Sequence, residues 1–321
     1  MGKIAFVFPG QGAQHVGMGR EMAENFSAAR QVFEQADDIL GMNLSEKVFN
    51  GSDDELKLTE ITQPAIVATS IACLEVLRQH GVQAHGVAGL SLGEYSALVA
   101  AEAMSFADAL PVVQKRGRYM QEAVPPGVGG MSAILGLARE KVHEACRQAS
   151  AIGVIEPANY NSPDQIVIAG EIAAMRKACE IAKELGAKRI VELPVSVSFH
   201  CSLLKNVEPL LAGELAQIEL SPAKIPVMAN VSADYVNSVE EMRDSLVRQV
   251  SNAILWQDSI EKMIADGYDT FVEVGPGKSL TGMMRKINRD VWAHQVENVK
   301  TLEKVVEAIK GQGGEQHAFG R

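Results

Sequence analysis

One serine of this chain lies in a sequence that suits a nucleophile. Ser91 is the centre of Gly89-Leu90-Ser91-Leu92-Gly93, between a small-residue apolar run, 86–90, and a helix-like run, 94–101. The pattern predicts a strand, a sharp turn and a helix, because bulkier residues at the two glycine positions would clash. Such a turn exposes the serine hydroxyl, and the backbone N–H of Leu92 is the first donor to a developing oxyanion. The pentapeptide also arises by chance, so partner residues must decide its meaning.

Two further residues are candidates for the same chemistry. Residues 3–8 predict a buried strand and 9–14 a glycine-rich loop, in which the backbone N–H of Gln11 is a candidate second oxyanion donor. A dinucleotide site is rejected, because His15 stands where the third glycine is required. His200 follows the serine in chain order, as the base does in serine-nucleophile α/β enzymes. A lone histidine is more often structural, so both interpretations stay open at this point.

Alternating strands and helices are predicted to position these residues. Periodicity predicts helices over 18–40, 65–77 and 105–122, and Pro111 is expected to kink the last of these or to delay its start. On composition alone, the cluster 115–118, which contains Arg116, is typical of a solvated basic face.

A break rich in proline and glycine, 125–130, separates a segment of different character. Its pattern predicts strands at 131–137, 152–159, 165–169 and 188–195, with helices at 139–149 and 172–185. That β-α-β-β-α-β order is the ferredoxin-like split pattern, which predicts a small subdomain.

Composition sets the broad class of protein. The 321 residues are 47% apolar and 22% charged, which is typical of a soluble globular protein, and we identify no apolar run of membrane-spanning length. The beginning of the chain shows no signal-peptide pattern, so we expect a cytoplasmic protein. The four cysteines show no zinc-site or disulfide spacing. A net charge of -10 argues against nucleic acid and anionic membranes as partners.

Seven motifs are distributed over nearly the whole chain. They are Phe8-Pro-Gly-Gln-Gly-Ala-Gln14, Thr62-Gln63-Pro64, Gly89-Leu-Ser-Leu-Gly-Glu-Tyr-Ser-Ala97, Arg116-Gly117, Asn161-Ser162-Pro163, Phe199-His200 and Glu273-Val-Gly-Pro-Gly277. In this order they resemble the malonyl-CoA:acyl carrier protein transacylase family of bacterial fatty acid synthesis. The resemblance implies an α/β fold, with an α/β-hydrolase-like large subdomain over 1–124 and 197–321 and an inserted ferredoxin-like small subdomain over 125–196.

The resemblance also implies roles for individual residues. Ser91 would be the nucleophile and His200 the general base, oriented by a backbone carbonyl rather than an aspartate. The oxyanion hole would be formed by the N–H groups of Gln11 and Leu92. The substrate-binding residues would be Arg116, which pairs with the free carboxylate of malonyl, together with Gln249, Gln63 and Asn161. Leu90 is a departure, because many family members have histidine immediately before the nucleophile.

The implied reaction moves malonyl from coenzyme A to the phosphopantetheine thiol of acyl carrier protein through an acyl-enzyme on Ser91. It needs no metal, nucleotide or redox cofactor, and we expect a monomer. Three alternatives remain: a malonyl acyltransferase that serves polyketide synthases in trans, a thioesterase or serine hydrolase, and a non-catalytic docking subunit. Arg116 argues against the second, and the presence of Ser91 and His200 argues against the third.

Overall fold

The computed structural model describes residues 2–125, 127–195 and 197–316. Their contacts form two units, of which unit 1 comprises Met1–Gln114, Glu219–Met228 and Met263–Arg321, and unit 2 comprises Lys115–Ile218 and Ala229–Lys262. Residues 126 and 196, at the two ends of the predicted small subdomain, lie outside the described residues. The subdomain boundaries at 125 and 196 therefore stay a prediction.

Strands and helices alternate along the described chain. The strands are β1 (Lys3–Phe8), β2 (Gly86–Gly89), β3 (Gly129–Leu135), β4 (Ile155–Ser162), β5 (Gln165–Glu171), β6 (Arg189–Glu192), β7 (Val227–Met228), β8 (Tyr268–Val274) and β9 (Trp292–Val296). The helices are α1 (Arg20–Asn25), α2 (Ser27–Leu40), α3 (Leu44–Asn50), α4 (Asp53–Leu56), α5 (Thr59–Gln79), α6 (Gly93–Ala100), α7 (Phe106–Ala123), α8 (Arg139–Ala149), α9 (Ile172–Glu184), α10 (Val207–Leu215), α11 (Val239–Gln249), α12 (Trp256–Ala265), α13 (Ser279–Ile287) and α14 (Val299–Gln316).

The strands of unit 1 form a parallel sheet in the order β7-β2-β1-β8-β9. Strand β1 is buried from Ile4 to Phe8, and β2 is buried throughout, as expected where both faces of a parallel sheet are covered. In the register of β1 with β2, Phe8 pairs with Gly89, so these two strands end side by side. The loops that follow β1 and β2 therefore begin next to each other.

The strands of unit 2 form an antiparallel sheet in the order β4-β5-β3-β6. Helices α8 and α9 contribute most of the core that covers it, including Val142, Met175 and Ile181. Chain order and sheet order together confirm the predicted β-α-β-β-α-β pattern. The first and last strands of the pattern, β3 and β6, pair directly with each other.

The helix predicted over 65–77 is longer than the sequence indicated. It begins at Thr59, extends to Gln79 and contains Pro64, which was expected to precede it. By length and composition alone this helix could cross a membrane, contrary to the expectation from the sequence. However, 89% of its most apolar stretch is buried inside the structure, which is typical of a core helix.

One other helix prediction is corrected. Residues 18–40 form two helices rather than one, because Phe26 is extended (φ -129°, ψ 122°) between α1 and α2. Of the two effects expected of Pro111, the delayed start is ruled out, because α7 begins at Phe106; the kink stays a prediction. Ser105 caps this helix, since its Oγ accepts a hydrogen bond from the N–H of Asp108 at 3.0 Å.

Candidate active site

Ser91 occupies the turn between β2 and α6, as the sequence predicts. Its φ of 53° lies in the left-handed region, which residues other than glycine rarely adopt. Hydrogen bonds on both sides hold the turn: Leu90 N–H donates to the Phe8 carbonyl at 3.0 Å, and Glu94 N–H donates to the Ser91 carbonyl at 3.0 Å. This is the strained strand-to-helix elbow that presents a nucleophilic serine.

The two glycines of the elbow are required by close backbone packing. A Cβ at Gly89 would lie 1.9 Å from the carbonyl carbon of Gly93, and a Cβ at Gly93 would lie 2.1 Å from the Phe8 carbonyl oxygen. Backbone atoms cannot rotate away from such contacts as a side chain can. The spacing Gly-x-Ser-x-Gly therefore reflects the approach of α6 to β1 and β2, and not chance.

The loop that follows β1 lies against the elbow. A Cβ at Gly10 would lie 2.5 Å from the Leu90 carbonyl oxygen and 3.8 Å from Cβ of Ser91, which places Gln11 one residue from that contact. Within the described residues, the backbone N–H groups of Gln11 and Leu92 have no hydrogen-bond acceptor. Leu92 also caps the N-terminus of α6, where the helix dipole favours negative charge. Unit 1 thus places the loop that contains Gln11 against the elbow that contains Ser91 and Leu92.

His200 is held in unit 2 by the end of helix α11. Its Nδ1 lies 2.7 Å from the Gln249 carbonyl oxygen, and its backbone N–H donates to the Val250 carbonyl at 3.2 Å. Since a carbonyl can only accept, Nδ1 carries the hydrogen and Nε2 is the basic nitrogen. Its φ of 59° is again in the left-handed region. A backbone carbonyl therefore orients this ring, as the family resemblance implied.

Burial keeps His200 neutral. The residue is 4% exposed, and burial lowers the pKa of its ring to about 3, with the nearby Arg116 cation as the second cause. The hydrogen bond to the Gln249 carbonyl acts in the opposite direction and raises the pKa. A neutral imidazole at pH 7 is the form that accepts a proton from a serine.

Arg116 is buried, which corrects the composition-based expectation of a solvated face. It is 1% exposed, and its Nη2 donates to Oε1 of Gln249 at 2.9 Å. The neighbouring Lys115 is partly exposed and forms an ion pair with Glu214. The structure thus joins Arg116, Gln249 and His200 into one buried group in unit 2.

The remaining predicted residues occupy other buried positions. Gln63 lies in α5 of unit 1 and is 1% exposed. Asn161 lies in β4 of unit 2, where the register with β5 shifts between Tyr160 and Ser162, so Asn161 occupies a bulge. Within the described residues its Oδ1 is buried without a hydrogen-bond partner. A buried acceptor of this kind suits a donor from a bound molecule.

Sequence reasoning missed Ser198, which fastens the segment before His200. Its Oγ accepts from Gly130 N–H at 2.8 Å and donates to the Gly170 carbonyl at 2.6 Å, so it ties this segment to β3 and β5. Nothing in the sequence distinguishes this serine from others. No group of three or more His, Cys, Asp or Glu in the described parts of the chain is placed to hold a metal ion.

Comparison with known proteins gives these residues a context. The family model described as an acyl transferase domain matches residues 5–321. The chain belongs to the acyl transferase domain family. A relative from Bacillus subtilis (strain 168), named malonyl CoA-acyl carrier protein transacylase, is 43% identical over 311 residues, which are 97% of this chain and 98% of the relative. The membership confirms the family resemblance that the seven motifs indicated.

Solved structures agree with this assignment. The crystal structure of malonyl CoA-acyl carrier protein transacylase from Clostridium perfringens is 44% identical, with a TM-score of 0.95, and the match covers 98% of this chain and 99% of that one. A type II polyketide synthase acyl-carrier protein in complex with its malonyl-transacylase contains a chain that is 40% identical, with a TM-score of 0.93 and coverage of 95% and 99%. These matches confirm the predicted α/β fold class.

Proposed function

We propose that the protein transfers malonyl from coenzyme A to the phosphopantetheine thiol of an acyl carrier protein, through an acyl-enzyme on Ser91, in fatty acid synthesis. The observation that carries the proposal is the buried Arg116 guanidinium, joined through Gln249 to His200. A serine elbow alone is compatible with many acyl transfers. A buried cation beside the base favours an acyl group that has a free carboxylate.

In the first half-reaction, Ser91 Oγ attacks the thioester carbon of malonyl-CoA. Its proton passes to Nε2 of His200, the nitrogen left basic by the Gln249 carbonyl. The N–H groups of Gln11 and Leu92 stabilise the oxyanion, and the C–S bond then breaks. The imidazolium returns the proton to the departing thiolate, which leaves an ester on Ser91.

In the second half-reaction, the carrier-protein thiol takes the place of coenzyme A. His200 accepts the thiol proton, the sulfur attacks the ester carbon, and the same N–H groups stabilise the oxyanion. The C–O bond to Ser91 breaks, and the proton returns to Oγ. Because donor and product are both thioesters, the cycle balances without a metal, nucleotide or redox cofactor.

Arg116 selects the acyl group in this scheme. Its planar guanidinium pairs with the malonyl carboxylate through two hydrogen bonds, whereas an acetyl group offers it no partner. We also assign substrate binding to Gln249, Gln63 and Asn161, of which Asn161 offers a buried acceptor. We infer that the protein acts as a cytoplasmic monomer whose partners are malonyl-CoA and acyl carrier protein.

A second candidate is malonyl transfer in a polyketide pathway. It is favoured by the 40% identity to the malonyl-transacylase solved with a type II polyketide synthase acyl-carrier protein. The chemistry on Ser91 is the same in both pathways. Transfer assayed with carrier proteins of each type, at equal concentrations, distinguishes them by the ratio of their kcat/KM values.

The proposed function is tested by intact-protein mass after mixing with malonyl-CoA, acetyl-CoA or methylmalonyl-CoA. We expect a malonyl adduct that hydroxylamine removes, that holo acyl carrier protein discharges, and that is absent in Ser91→Ala. Rapid release of coenzyme A without a lasting adduct would indicate a hydrolase. No reaction with any donor would indicate a non-catalytic docking subunit.

A further inference from the structure

Gln249 connects the proposed carboxylate-binding residue to the proposed base. Its side-chain Oε1 accepts from Arg116 at 2.9 Å, and its backbone carbonyl lies 2.7 Å from His200 Nδ1. The exposed fractions of Arg116, Gln249 and His200 are 1%, 0% and 4%. Gln249 is also the last residue of α11, so its position is fixed by the helix. Gln249 therefore links the Arg116 guanidinium to the His200 imidazole through the buried atoms of a single residue.

The Arg116 cation acts against the basicity of His200. It is the second cause, after burial, of the lowered pKa of the ring, while the Gln249 carbonyl favours the protonated form. Solvent and salt screen such an interaction weakly, because both groups are buried. A base whose pKa lies far below the working pH is a weak proton acceptor. In the free protein, His200 thus has its Nδ1 held by the Gln249 carbonyl, but its imidazole is a weak base.

We propose that the donor's own carboxylate activates the base: when an acyl carboxylate pairs with Arg116, the positive field on His200 falls and the imidazole becomes a better proton acceptor. This inference rests on the proposed function, in which Arg116 receives the malonyl carboxylate. It adds that the carboxylate acts on the chemical step and not only on binding. Gln249 is the positioning residue that holds the two groups in this relation.

Several other titratable groups on the surrounding elements are neutral or paired. Burial raises the pKa of the Cys201 thiol to about 12, so it stays neutral. Three charged side chains of these elements have partners: Glu156 of β4 accepts from Ser202, Glu208 of α10 accepts from Ser251 and Lys205, and Lys115 of α7 pairs with Glu214. Within the described residues, the Arg116 cation is the charge that lowers the pKa of the ring.

A donor without the carboxylate distinguishes an effect of Arg116 on binding from an effect on catalysis. If Arg116 only bound the donor, a thioester without the carboxylate would have a higher KM, but its kcat at saturating concentration would equal that of malonyl-CoA. If the carboxylate also activates His200, the rate of acylation at saturation remains lower without it. A malonamyl thioester, in which a neutral carboxamide replaces the carboxylate, is the matched donor, because its size and shape are nearly unchanged.

The direct test is the titration of His200 in the full-length Ser91→Ala variant, followed by NMR of ¹⁵N-labelled histidine. The His200 signal is identified by its loss in the Ser91→Ala, His200→Gln double variant. Titrations are run on the free protein, with saturating malonyl-CoA and with saturating malonamyl-CoA. We expect malonyl-CoA to raise the midpoint by about one pH unit or more, and malonamyl-CoA to leave it nearly unchanged. In the wild type, saturating malonamyl-CoA should load Ser91 several-fold more slowly than malonyl-CoA.

Each other result is decisive. If malonyl-CoA binds and loads normally while the His200 midpoint does not move, the inference is wrong and the proposed function stands. If malonamyl-CoA raises the midpoint equally, occupancy of the site rather than the charge of the carboxylate causes the shift, and the inference is again wrong. If malonyl-CoA neither binds Ser91→Ala nor loads the wild type, the proposed function itself is overturned.

Discussion

Replacement of Arg116 by alanine should remove the preference for a carboxylate-bearing acyl group. The guanidinium is 1% exposed, so water cannot replace it as a partner for the malonyl carboxylate. Removal of one member of a buried charge pair costs about 3–5 kcal/mol. Since 1.36 kcal/mol corresponds to a factor of ten, kcat/KM for malonyl-CoA should fall by roughly two to four orders of magnitude.

The assay is a competition between donors. Equimolar malonyl-CoA and acetyl-CoA are mixed with the enzyme, and the two adducts on Ser91 are quantified by intact-protein mass at early times. Acetyl has no carboxylate to lose its partner, and removal of the Arg116 cation makes His200 a better proton acceptor, so the kcat/KM for acetyl-CoA should not fall and should rise if the base is activated. The ratio of malonyl to acetyl adducts should therefore fall by at least the factor calculated for malonyl-CoA.

Lys115→Ala is the matched control, because it removes the adjacent cation of the same helix. The Lys115 side chain is 40% exposed and pairs with Glu214 at 2.6 Å. A surface pair of this kind contributes about 0.2–1 kcal/mol, so the adduct ratio should stay within a few-fold of wild type. An Arg116→Ala variant that is folded by circular dichroism and keeps a wild-type adduct ratio would refute the assignment.

Three further predictions concern packing, protonation and docking. Gly93→Ala should lower the free energy of unfolding by about 1–3 kcal/mol or more in a denaturant titration, because its Cβ would meet the Phe8 carbonyl. Gly282→Ala should not destabilise the fold, because a Cβ there meets nothing within 4 Å. Equal effects of the two substitutions would contradict this explanation. Because the neutral form of His200 is the active base and burial lowers its pKa, activity should be lost on acidification only well below pH 6.5; an acidic limb of kcat/KM near 6.5 would contradict this sign. Arg289→Glu should slow transfer to an acidic carrier protein and leave malonyl loading unchanged, because no carboxylate within the described residues pairs with Arg289. Arg176→Glu should slow transfer less, because Arg176 already pairs with Glu192 at 3.7 Å. A larger effect of Arg176→Glu than of Arg289→Glu would exclude the surface around Arg289.

The sequence was sufficient wherever one local pattern determines the structure. Strand β1 was predictable because a continuous apolar run suits a strand buried on both faces. The elbow at Ser91 was predictable because its glycines are required by contacts that involve only the backbone. The antiparallel sheet of unit 2 was predictable from the alternation of six short elements, although their ends differ by a few residues from those predicted.

The sequence failed where neighbouring residues have different environments. Lys115 and Arg116 have similar charge and appear together in a basic cluster, but successive residues on a helix point about 100° apart. That rotation leaves Lys115 paired at the surface and buries Arg116 against Gln249. Composition cannot distinguish the two, because the burial of each depends on α10 and α11, which are distant in sequence. The break at Phe26 was missed for a related reason, since the apolar periodicity continues across it.

The two residues proposed to exchange a proton both have a strained backbone conformation. Ser91 and His200 have φ values of 53° and 59°, and a residue other than glycine held there costs about 1–3 kcal/mol. Each is held by contacts that do not depend on its own side chain: Phe8 carbonyl contacts fix the elbow, and the Val250 carbonyl accepts from the N–H of His200. Strain persists only where the surroundings determine the conformation more strongly than the residue itself does. Glycine at either position would relieve the backbone but remove the reacting group, so the strain is inseparable from the chemistry.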